Sequence, residues 1–178
     1  MHDLERLKYP IGPFQPPAAF TPEIRHQLID RLQASAASLR AAVAGLDPQQ
    51  LDTPHRPGGW TVRQTAHHIA DACMNGYVRT KLALTEDAPT VKTFDEGLWA
   101  ETADSRQLDP EVSVRLVEAL IERWAAMWRS LSADQFARPF VHPVNGPTTL
   151  DAALAFFVWH TEHHTAQITS LRQRMGWL

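Results

Sequence analysis

Four long stretches of this chain repeat apolar residues at steps of three and four, and that period leaves little choice but a bundle of helices. In the first stretch Ile24, Leu28, Ile29, Leu32, Ala36, Leu39, Val43 and Leu46 share one face, and Asp47-Pro48 closes it. The second opens at Thr61-Val-Arg-Gln64, the spacing of a capping box, and runs to about Leu84. The third spans roughly Pro110 to Leu131, with Pro110 in its first turn and Val114, Val117, Leu120, Ile121, Trp124 and Trp128 turned inward. The fourth starts near a second capping-box candidate, Thr148 with Asp151, and ends near Met175, where Gly176 stops it. The segments between them are punctuated by proline and glycine and include LDTPHRPGGW (51–60), TEDAPTVKTFDEG (85–97) and residues 132–147. They are longer than an up-down-up-down bundle needs. The expectation is therefore an all-α four-helix bundle with long crossover loops, one turn of helix over 94–100, and no strand pair. The first 20 residues are proline-rich and carry no apolar period, so they read as an extended arm laid on the surface. With 178 residues, a single domain over 1–178 is the simplest organisation.

Several function classes drop away. A net charge of -3 with acids and bases interspersed gives no basic stripe for nucleic acid. No apolar run approaches the ~18 residues of a membrane span, and the opening MHDLERLKYPIGPFQPP has no apolar core of a secretion signal. The lone cysteine, Cys73, allows no internal disulfide and suits a reducing cytoplasm. It falls on an apolar helix face, so it reads as a small buried hydrophobe rather than a nucleophile. No Ser-His or Cys-His pair suggests itself, and no protein nucleophile is expected.

Histidine is the outlier. Five of the nine sit at 67–68 and 160–164. In VWHTEHHTAQI (158–168), a helix turning about 100° per residue puts His164 roughly 20° from the centre of the apolar stripe. His160 lies roughly 60° from it and His163 about 120°, near the boundary. His160 and His164 are four apart, so both imidazoles can reach one ion. A third ligand has to come from another helix. His68 shares a polar stripe with Gln64, Asn75 and Arg79, whereas His67 sides with Arg63, Asp71 and Lys81 on what reads as a solvated face. The helical wheel favours His68 modestly. The stripe 64-68-75-79 would suit the wall of a polar site, with Asn75 and Arg79 orienting a substrate carboxylate or a thiol cofactor. Residue types alone leave open whether these histidines bind metal or are hydrogen-bonded core residues. HExxH is absent, which excludes a zincin-type protease.

GGWTVRQTAHHIADACMN (58–75) and VWHTEHHTAQI (158–168) resemble the DinB/YfiT-like proteins, and YPIG (9–12), LDTP (51–54) and RMGW (174–177) resemble the YfiT branch of that family. The similarity runs over nearly the whole chain. It implies a four-helix bundle, a homodimer, and one divalent ion per chain, zinc or nickel, on His68, His160 and His164. The spacing from Trp60 to His68 marks the family's first metal histidine. Members of the branch are named as metal-dependent hydrolases, and some relatives are thiol transferases that use bacillithiol or mycothiol. The chain departs from the broader pattern at Gln64, where relatives often carry Glu, which weakens any mechanism needing a carboxylate base there.

The expected activity is a metal-dependent S-transferase: an ion that acidifies a small thiol, bacillithiol first, which then attacks an electrophile. Hydrolysis by water activated at the same ion is the alternative. A third reading, from another class, is a non-catalytic metal-binding stress-response dimer whose ion is closed by a fourth ligand such as His163 or Asp71. Gln64, Asn75, Arg79 and His163 are the candidate residues for substrate contact or ligand support.

Overall fold

The computed structural model describes residues 2–177, with side chains from Leu4 onward. In chain order the elements are α1 His2–Lys8, α2 Pro22–Val43, α3 Pro48–Leu51, α4 Val62–Thr85, α5 Glu96–Trp99, α6 Ala103–Gln107, α7 Glu111–Arg129, α8 Ala133–Phe136, β1 Pro139–His142, β2 Gly146–Thr149 and α9 Leu150–Met175. The bundle is made by α2, α4, α7 and α9. Both α2 and α4 pack against α7 and α9, while α2 and α4 touch only lightly. Helices consecutive in sequence, α2 and α4, thus lie on a diagonal, and the long connection 44–61 makes the crossing.

Local signals fix the helix ends. At α4 the Thr61 side chain accepts the Gln64 N–H, and the Gln64 side chain accepts the Thr61 N–H in return. At α9, Gly176 takes a left-handed conformation, φ 67°, that a side chain would resist. The start of α9 differs from expectation: Thr149, not Thr148, is the cap, accepting the Ala152 N–H. Asp151 is not part of a box. Its carboxylate takes both ends of the Arg25 guanidinium, at 2.8 and 2.7 Å, and ties α9 to α2.

Two further expectations are corrected. Residues 139–149 form a tight antiparallel hairpin, with Phe140 opposite Thr148 and His142 opposite Gly146. Its signal is short and interrupted by Pro147, so apolar alternation could not reveal it. Phe140 is buried, and that anchors the hairpin on the bundle. The opening segment is not extended throughout, because His2–Lys8 is helical. The good helix formers Leu4, Glu5, Arg6 and Leu7 hold that turn, with a Lys8–Glu5 ion pair at 3.1 Å, until Pro10 follows.

The rest of the arm lies on α9. Trp159 Nε1 donates to the Gly12 carbonyl at 3.1 Å, Tyr9 packs on the His163 ring, and Phe14 meets Phe156 edge-on. At the bundle centre Trp124 and Trp128 are fully buried, as expected. Gly76 makes room for Trp124 and Phe157: a Cβ there would stand 2.5 Å from Trp124 and 2.6 Å from Phe157. No described helix is long and apolar enough to cross a membrane.

Candidate metal centre

The α4–α9 seam brings His68, His160 and His164 together. One ring nitrogen from each lies within 4.8 Å of the other two. His68 Nε2 and His160 Nε2 are 3.3 Å apart. That spacing is about the edge of a tetrahedron with the ~2.0–2.1 Å zinc–imidazole bond, so the donor set fits a divalent ion of that size. Trp60 packs at a tilt on His68, with ring centres 4.5 Å apart, and reaches His164 at 6.0 Å, closing one side. The preceding loop holds Trp60 in place: the His55 ring donates Nδ1–H to the Trp60 carbonyl at 2.9 Å.

Burial makes these imidazoles poor bases. It pushes the pKa of His68 down to about 4, and the neighbouring His163 adds to the effect. Burial holds His160 and His164 well below their ordinary value too, and the surrounding histidines repel a further proton. All three are therefore neutral at neutral pH, with lone pairs free for a cation.

A residue that sequence reasoning missed sets the direction of one lone pair. Gln167 donates Nε2 to the Lys8 carbonyl at 2.9 Å and to His163 Nε2 at 3.1 Å. Its Oε1 is then left to accept from His164 Nδ1, at 2.9 Å. With the proton held on Nδ1, His164 Nε2 is the nitrogen left with a free lone pair toward the cluster. The only sequence hint was that Gln167 sits three residues after His164, within reach on the same helix. Gln167→Leu should weaken metal binding about 10–100-fold. Competition against a chromophoric chelator would measure this, and an unchanged affinity would reduce Gln167 to packing.

The remaining candidates separate. Arg79 lines the same cleft as the three histidines, three turns further along α4 from His68. Gln64 does not. Its oxygen caps Thr61, and its nitrogen donates to the Ala100 carbonyl and to Glu101, so the amide is spent on structure. Asn75 donates to the Asp71 carbonyl on its own helix at 2.8 Å. His163 is buried rather than at the boundary. It turns Nε2 to Gln167 and stacks between Tyr9 and Trp159.

The face carrying Arg63, His67 and Asp71 is not solvated as expected. Arg63 is buried and bonded to Asp52 and to the Leu108 carbonyl, and His67 is buried against Ser113 at 2.7 Å. The segment 100–113 folds over this face, which helix periodicity cannot foresee. Half-burial beside Asp104 raises the pKa of Asp71 to about 6. Cys73 is fully enclosed, its thiol pushed up to about 12 by burial.

The imidazoles stand at a cleft of about 1170 Å³. Phe140, Phe156, Phe157 and Trp60 supply its apolar walls, and Asp95 and Glu96 line it from the N-terminus of α5.

A four-helix bundle with three inward imidazoles at one seam, open to a cleft, defines a class of helical proteins suited to holding a divalent ion. The chain belongs to the DinB superfamily, whose family profile matches residues 31–168. It is 46% identical to YfiT of Bacillus subtilis over 172 residues, 96% of this chain and 97% of that protein. A Bacillus licheniformis relative, 47% identical over 98% of this chain and 99% of its own, is provisionally named a metal-dependent hydrolase. The solved structure of Bacillus subtilis YfiT superposes with a TM-score of 0.95 at 45% identity, covering 97% of this chain and 99% of that one. It is described as "a probable metal-dependent hydrolase with an unusual four-helix bundle topology". A four-helix bundle protein, TT2238, shares the fold with a TM-score of 0.58 at 20% identity, over 82% of this chain and 98% of its own.

Proposed function

We propose that the chain is a metal-dependent enzyme in which His68, His160 and His164 hold one divalent ion, zinc or nickel. We further propose that its nucleophile is a small thiol of the bacillithiol type, transferred to an electrophile. The observation that carries this reading is the cleft of about 1170 Å³ opening from the three imidazoles. It exceeds the usual ~300–1,000 Å³ of a site for one small molecule, so two reactants can meet there.

A bound ion supplies Lewis acidity, which favours the anionic form of an S–H or O–H group beside it. The chain's own residues do the rest. Three neutral imidazoles add no negative charge, so the ion's field is undiminished. The rings of Trp60, Phe156 and Phe157 give the cleft an apolar side against which an apolar part of a substrate can lie. No serine, cysteine or lysine is among the described residues that line the cleft, and Cys73 is sealed in the core, which favours a nucleophile brought in from outside.

Hydrolysis is the second reading. The hydrolase names of the relatives favour it, and Asp95 and Glu96 could take a proton from water. The non-catalytic reading needs a fourth protein ligand, yet His163 turns its Nε2 to Gln167, and neither His163 nor Asp71 lines the cleft at the three imidazoles.

The deciding experiment is a mass-spectrometric conjugation assay. Metal-loaded protein meets monochlorobimane with bacillithiol, with cysteine, or with no thiol, beside a chelated control. Conjugate that requires both metal and bacillithiol is the expected result. Metal-dependent hydrolysis of ester or amide substrates without any thiol, and no conjugate, would overturn the transferase reading in favour of the hydrolase.

A further inference from the structure

Among the described residues, one cation in the cleft has no carboxylate partner. Arg25, Arg31, Arg40, Arg63, Arg106 and Arg129 each pair with an Asp or Glu. Arg79 does not. It donates Nη2 to the Lys92 carbonyl at 3.0 Å, while its Nε is buried without a partner. Asp95 and Glu96 line the same cleft but form no ion pair with it. Half-burial lowers its pKa, and no neighbouring carboxylate offsets that. A guanidinium held partly out of water with a donor unused is costly unless an anion completes it.

Its placement is informative. Arg79 follows His68 by eleven residues on α4, three turns later and about 20° round, so the two share one face about 16 Å apart along the axis. Between them Ala72 lines the cleft with the smallest of side chains. Phe156 and Phe157 line it too, their rings 5.5 and 6.5 Å from that of His160. The hairpin brings His142, Asn145 and Thr148 to the cleft, and His142 lies near enough to Arg79 to feel its charge. The cleft therefore has an imidazole end, an apolar middle and a polar end containing one fixed cation.

We propose that Arg79 anchors a carboxylate that the substrate carries far from its reacting atom. The molecule that fits is elongated, with its reactive group at the imidazoles and its anion at Arg79. An amino acid thiol such as cysteine is too short to satisfy both ends. The assignment of the reactive end rests on the function proposed above; the anchor rests on Arg79 itself.

The test is a ladder of ω-mercaptoalkanoic acids, from mercaptopropionate through mercaptohexanoate and mercaptooctanoate to mercaptoundecanoate. Each is compared with the matching ω-mercaptoalkanol by calorimetry on cobalt-loaded protein. The longer acids should bind about tenfold tighter than their alcohols, the scale of one charge-assisted hydrogen bond, and the shortest acid should show no such advantage. Arg79→Met and Arg79→Gln should each bring the acid-to-alcohol ratio to about one with metal content unchanged; using two variants guards against misfolding of either. Equal binding of acid and alcohol at every length, including no binding by both, overturns the anchor. So does an advantage that survives in both variants. Sulfur-to-cobalt absorption is recorded in parallel. Its absence while the carboxylate advantage remains would defeat the thiol reading and leave the anchor standing.

Discussion

His68→Ala, His160→Ala and His164→Ala should each leave the protein metal-free, while His163→Ala keeps most of its metal. Metal analysis after desalting is expected to fall from about one ion per chain to under a tenth in the three ligand variants. The contrast matters because His163 adjoins His164 in sequence. Only the geometry separates them: His163 Nε2 is taken by Gln167, and the ring is wedged beneath Tyr9. All four variants should remain folded: His68, His160 and His164 contribute no hydrogen bond that holds two elements of the core together apart from their own cluster, and without the His163 ring Gln167 keeps its bond to the Lys8 carbonyl. A metal-free His163→Ala protein beside a loaded His160→Ala protein would overturn the ligand set.

The largest loss of stability is expected at the bundle centre. Trp124→Ala should cost about 3–5 kcal/mol, the range for removing a fully buried large aromatic side chain. Trp124 has no exposure. Its ring packs on Phe157 at 5.1 Å and on Trp128 at 6.0 Å, and its Nε1 donates to Thr80 at 3.1 Å. The cavity cannot collapse readily, because the facing position is Gly76, which has no side chain to move in. Against a typical total of about 5–15 kcal/mol this is a large share. Urea unfolding would show the midpoint shift, with Trp124→Phe losing less. An unshifted midpoint in Trp124→Ala would mean this cluster does not hold the bundle together.

Much of this was legible in the residues. The apolar period of Ile24 to Val43, the Thr61–Gln64 box and Gly176 placed the long helices, because each is a local cause acting within a few residues. The pairing of His160 with His164 followed from helix geometry. What stayed hidden depends on contacts distant in sequence. Arg63 and His67 look like surface residues until residues 100–113 are laid over them. Gln64 looks like a site residue until its amide is found bonded to Ala100 and Glu101. The hairpin at 139–149 has too few residues for a period, and it forms because Phe140 finds the core.

His68 and His160 are separated by 92 residues of chain, yet their Nε2 atoms are 3.3 Å apart. An ion held between them would act in polymer terms as a reversible cross-link over that span, closing a loop that thermal motion otherwise opens. It would join α4 to α9 and leave the α2–α7 contact untouched. Removing it should therefore slacken one seam of the bundle and not the other, and amide hydrogen exchange along α4 and α9 would quicken first.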